Sequence, residues 1–207
     1  MANYWNTIKE KFLNENGIIS VGISDVVGSG LSAVFWLYIA SVIEPTDYGE
    51  IHYFLGIAGM AQILSMFGNP NALTIYSAKN ENVQSTLFLL SIIPTIVSSV
   101  IIFVFFSRLD AALLVIGYVV FESVNSVILG RKFYRKYAKI ILIQKSLTLI
   151  LGIGLFYALG PVGIIFALVL TFIPHLTIFI KEFQNTKINF SLLKNKKNFI
   201  VNNYLMT

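Results

Sequence analysis

Residues 146–180, SLTLILGIGLFYALGPVGIIFALVLTFIPHLTIFI, contain no Asp, Glu, Lys or Arg. As one helix this stretch would be about 52 Å long, whereas a bilayer core of roughly 30 Å is crossed by about 20 residues. The chain must turn inside it. Gly160-Pro161 supplies the turn, because glycine ends a helix without steric penalty and proline is tolerated in the first turn of the next. Residues 140–159 and 161–180 therefore read as two consecutive spans. An ionised side chain at the centre of a span costs about 2.5–3.5 kcal/mol, so charge-poor stretches locate the others. They fall at about 17–43, 51–67, 83–106 with Pro94 inside, and 111–129 with Glu122 inside. The expected fold is an all-α membrane protein, a bundle of six transmembrane helices over residues 17–181.

Composition agrees. Of 207 residues, 56% are hydrophobic and 12% charged, against roughly a quarter charged in soluble domains. There is no cysteine, which excludes disulfides, thiolate metal sites and cysteine nucleophiles. His52 and His175 are too far apart in sequence to suggest a zinc site. No paired acids, nucleophile and base, or metal-ligand spacing stands on any loop, so neither an enzyme nor a cofactor is expected.

Residues 1–16 are mostly polar and precede a long apolar segment, unlike a cleaved signal peptide. Within them Trp5, Ile8, Phe12 and Leu13 recur at helical spacing with Lys9 and Lys11 elsewhere, the pattern of an amphipathic segment in the headgroup region. Every Lys and Arg except Arg108 and Lys145 falls before the first span, after even-numbered spans, or in the tail. By the positive-inside rule both termini are cytoplasmic in a multi-pass protein of the plasma membrane, which requires an even number of spans. The net charge of +5 is then a topology signal and an attraction to anionic lipid, not to nucleic acid. The sequon Asn189-Phe190-Ser191 is cytoplasmic on this reading.

Certain strings suggest a family. Pro45-Thr46-Asp47-Tyr48-Gly49-Glu50 follows the first span, and a small-residue second span ends in Phe67-Gly68. Leu129-Gly130-Arg131 leads into Phe133-Tyr134-Arg135-Lys136-Tyr137-Ala138, and Gly160-Pro161-Val162-Gly163 precedes the sixth span. In this order and spacing the chain resembles the N-terminal half of polysaccharide-biosynthesis flippases of the O-antigen (Wzx) type, in the multidrug/oligosaccharidyl-lipid/polysaccharide exporter superfamily. Gly130 and Arg131 stand in inverted order relative to that family's connector. The resemblance implies one lobe of a two-lobe carrier that moves a lipid-linked glycan by alternating access. It implies, too, that the basic tail 182–207, with apolar groups such as Phe199-Ile200-Val201, leads into a seventh span. The partner is then a second lobe or a second copy of this chain. The alternatives are a lobe of a cation-coupled drug exporter of the same superfamily, and a membrane fragment that transports nothing.

Three ionisable residues lie inside spans, where such residues are by default functional. On the first span Gly22, Asp25, Ser29 and Ser32 share one face; on the fourth, Tyr118, Glu122, Asn125 and Ser126 do; the fifth offers Lys145, Thr148 and Gly152. Asp25, Ser29, Ser32, Glu122, Asn125 and Lys145 are the candidate substrate or ion pathway. Asp25 either binds a cation, proton or sugar hydroxyls in a cavity, or makes an interhelical hydrogen bond. Glu122 and Lys145 form a structural ion pair or take part in transport, and Lys145 can also snorkel to the headgroups. His52 and His175 read as hydrogen-bonded or interfacial, Pro94 and Pro174 as kinks. Trp36, Tyr38, Tyr48 and Tyr53 read as an aromatic belt.

Overall fold

The computed structural model of the chain describes residues 2–185 and residue 188, with side chains from residue 17 onward. Among the described residues it is helical throughout: α1 Ala2–Val42, α2 Pro45–Met66, α3 Asn69–Ala78, α4 Gln84–Phe106, α5 Leu109–Gly130, α6 Tyr134–Leu159, α7 Pro161–Thr171 and α8 Ile173–Asn185. Five segments are long and apolar enough to cross a membrane: Gly17–Val42 within α1, then α4, α5, α6, and the α7–α8 stretch Pro161–Asn185. The pair α2 and α3 passes the same length and composition test together but is bent by 55°, as in a broken span or a re-entrant loop. The chain is thus an all-α membrane bundle. Residues 2–16 continue α1 without a break. The expected tail beyond Asn185, Ile188 apart, and the sequon lie outside the described residues.

The second span departs most from expectation. It starts at Pro45 rather than near residue 51, and a further helix, α3, occupies residues that read as a loop. Asn69-Pro70-Asn71 looks like a turn in sequence. Here Pro70 sits in the first turn of α3, where its missing N–H costs nothing. Phe67 and Gly68 both adopt left-handed backbone, with φ of 37° and 69°, and swing the chain through the bend. The buried Asn69 fixes it: its side-chain amide donates to the Leu87 carbonyl at 2.7 Å and also to Ser91 Oγ, both on α4.

Of the two prolines read as kinks, Pro94 lies within the single helix α4. Pro174 accompanies a break at Phe172, between α7 and α8. It offers no N–H to the carbonyl one turn back.

Helix α5 is the most buried of the candidate spans and runs through the middle, packed by α2, α3, α4, α7 and α8. Its first half joins a core with Phe35, Ile39, Ile51 and Ile165; its second half joins another with Leu73, Leu87, Phe88 and Phe179. Helix α6 leaves α5 and lies against α1 and α7. The α1–α6 approach is close: a Cβ on Gly152 would collide with the Phe35 ring, so only glycine fits there. Outward faces such as Val26, Leu37, Val104 and Phe105 are exposed and apolar, as surfaces that meet lipid must be.

The two ends of the bundle differ in charge. One, the acidic end, carries Glu44, Asp47 and Glu50; the other, the basic end, carries Arg131, Lys132, Arg135, Lys136 and Lys181. At the acidic end Arg108, in the α4–α5 connector, clips α2 to α5. It pairs with Glu50 on α2, donates to both oxygens of the buried Asp110 on α5 at 3.0 and 2.8 Å, and lies 4.4 Å over the Phe54 ring. Its hydrogen bonds to Asp110 hold the guanidinium above its ordinary pKa. At the basic end Arg131 pairs with Glu182 at 2.7 Å, tying the α5–α6 connector to α8.

Candidate functional site: a polar cleft between α1, α2, α5, α6 and α7

Because α1 packs mainly on α6 and touches α2 only sparingly, a gap is left between them over α5. It is a cleft of about 250 Å³ lined by Ser32 and Trp36 from α1, His52 and Leu55 from α2, Tyr118 and Phe121 from α5, Gln144, Lys145 and Thr148 from α6, Leu168 from α7, and Phe172. Two of the expected pathway residues, Ser32 and Lys145, meet here, and Tyr118 and Thr148 join them. Each arrives by helical spacing: Gln144, Lys145 and Thr148 occupy one face of α6, Ser32 and Trp36 one face of α1.

The remaining expected residues lie outside the lining. Asp25 and Ser29 are exposed on α1. Asp25 accepts a hydrogen bond from the Tyr137 hydroxyl of α6 at 3.2 Å. Glu122 is half-buried on α5, and Asn125 is buried with its side-chain oxygen lacking a hydrogen-bond partner among the described residues.

Lys145 corrects one expectation. Among the described residues no ion pair joins it to Glu122. That pairing assumed that consecutive helices α5 and α6 pack side by side, whereas α6 packs on α1. The Lys145 stem consequently lies over Gly28 of α1, whose added Cβ would stand 3.1 Å from the Lys145 Cγ. Lys145 also lines the cleft.

The histidines and aromatics also sit differently from expectation. His175 is fully buried on α8 beside Phe121 and Phe172, with ring centroids 4.8 and 6.3 Å away, and neither of its ring nitrogens has a hydrogen-bond partner among the described residues. His52 is held between Trp36 and Tyr48, at 4.6 and 4.5 Å. This three-ring stack joins α1 to α2 at the acidic end of the cleft. Nearby, the hydroxyls of Tyr38 and Tyr157 hydrogen-bond at 2.6 Å and join α1 to α6. Trp36 and Tyr38, read from sequence as an interfacial belt, are thus interhelical contacts as well.

Gln144 is the site residue that the sequence reading passed over. It is buried, donates to Thr171 Oγ1 at 3.3 Å, and leaves its side-chain oxygen without a partner among the described residues. A search for charges does not find it, although an uncharged amide inside a span carries the same message as a charge. Chemically, the cleft offers one ammonium, three hydroxyls, one amide, one imidazole and aromatic faces. It can bind an anionic group and hydroxyl-rich matter. Among the described residues no group of three or more His, Asp or Glu is placed to hold a metal.

A family model described as "Polysaccharide biosynthesis protein" matches residues 15–207 of the chain. No curated protein and no solved structure gives a significant match.

Proposed function

Because the chain belongs to the polysaccharide biosynthesis protein family, a family of membrane transporters, we propose that it takes part in moving a lipid-linked oligosaccharide or polysaccharide precursor across the plasma membrane. No bond is made or broken; the process is binding and alternating access. The observation that carries the reading is the cleft between the helices, where Lys145 shares the wall with Ser32, Gln144 and Thr148. The ammonium attracts the substrate's diphosphate, while Ser32, Gln144 and Thr148 offer hydrogen bonds to sugar hydroxyls and the Trp36 ring offers a stacking face.

The basic end is the cytoplasmic one under this reading, with both termini there, in keeping with the positive-inside bias. Exposed Asp25 and Ser29 cannot face hydrocarbon without a penalty. They support a water-filled cavity shared with a second lobe, either another chain or a second copy of this one. Transport of a cation-coupled drug is the second reading, favoured by the two intramembrane acids Asp25 and Glu122.

Deleting the gene in its host separates the two. Glycan transport predicts that lipid-linked precursor accumulates and surface glycan falls, with rescue by the wild-type chain and poor rescue by Lys145→Glu. Unchanged glycan together with altered drug or dye efflux would replace it with the second reading.

A further inference from the structure

Phe172 lines two cavities. On one side lies the polar cleft; on the other, between α5 and the α7–α8 stretch, lies an apolar groove of about 180 Å³. Ile116, Leu170, Ile173 and Leu176 in the groove wall are exposed, so the groove opens on the bilayer side of the bundle. Its lining has no ionisable or hydrogen-bonding side chain, and in a membrane the matter that fills such a groove is hydrocarbon.

The partition between the two is thin and is placed at a weak point of the helix. Phe172 stands at the break between α7 and α8. Its ring touches Tyr118 and Phe121 edge-on, at centroid distances of 5.7 and 5.5 Å, and lies so close to α5 that a Cβ on Gly117 would overlap it. A backbone that already lacks continuous helical bonding there can let the ring turn without disrupting a regular helix. Turning it joins a polar chamber to an apolar trough.

We infer that Phe172 is a side gate, and that the groove holds the hydrocarbon chain of a lipid whose diphosphate and sugars occupy the cleft. The ligand class is an amphiphile with an anionic, hydroxyl-rich head and a hydrocarbon chain. This rests on the transport reading above and adds where the chain leaves the protein: between α5 and the α7–α8 break. An amphiphile bound in the cleft needs an apolar path for its tail, and this groove is separated from the cleft by the Phe172 ring.

The test is photolabelling of the full chain, in phosphatidylcholine nanodiscs, with a polyprenyl diphosphate carrying a diazirine near the head end of its chain. Label should concentrate on 113–120 and 169–176 and be displaced by unlabelled polyprenyl diphosphate but not by added phosphatidylcholine. Leu176→Trp, a change at an exposed position, removes room for about two methylene groups and should lower groove labelling about tenfold. Phe172→Leu should keep the fold and raise labelling. Label confined to the α1 and α6 walls of the cleft overturns the gate while leaving the transport reading in place. Label spread evenly over all lipid-facing helices, or displaced equally by phosphatidylcholine, overturns both.

Discussion

Lys145 shows what a single residue reveals in sequence and what it hides. That a lysine inside a span has a role follows from the cost of burying it, but its neighbour follows from which helices pack together. Since α6 lies on α1, Lys145 should couple to Asp25 rather than to Glu122. In purified protein, Lys145→Ala should lower thermal stability, and adding Asp25→Asn should cost less than the two single losses combined, by about 0.5 kcal/mol because Asp25 is exposed. Glu122→Gln should add independently. Coupling to Glu122 with none to Asp25 contradicts the placement. Arg108 gives a larger effect. Arg108→Ala strands the carboxylate of Asp110, which is 2% exposed, and should cost about 3–5 kcal/mol in an unfolding titration. Glu50→Gln, on an exposed partner, should change stability little.

At the scale of elements, five spans were legible because each is a long, charge-poor apolar run bounded by charges or, at Gly160-Pro161, by turn chemistry. The bend at Phe67-Gly68 was not, because Asn69-Pro70 is turn chemistry in sequence and becomes a helix start only when Asn69 finds the Leu87 carbonyl on α4. Backbone left in the left-handed region is testable here. Gly68→Ala, at φ of 69°, should destabilise by about 1 kcal/mol, whereas Lys132→Gly, at φ of 59° in the α5–α6 connector, should stabilise by a similar amount. Melting temperatures measured side by side should move in opposite directions; a fall in both would contradict the strain at Lys132, and a rise in both the need for glycine at Gly68.

For the whole molecule, the all-α membrane class was readable from composition and apolar run lengths, since the bilayer imposes both. The cleft was only half readable. Ser32 and Lys145 were identified as polar faces, but the opening between α1 and α2 arises from the distant pairing of α1 with α6, which no local pattern announces. Gln144 and Phe172 became site residues through that pairing alone.

The central claim is translocation, and a leaflet assay tests it most directly. The chain, with any partner that copurifies from its host membrane, is reconstituted into liposomes containing a fluorescent lipid-linked oligosaccharide, and an impermeant quencher is added outside. The account predicts that quenching extends beyond the outer leaflet to nearly all of the lipid, and that Lys145→Glu slows this extension. Quenching that stops at the outer-leaflet share, as in protein-free liposomes, would contradict it.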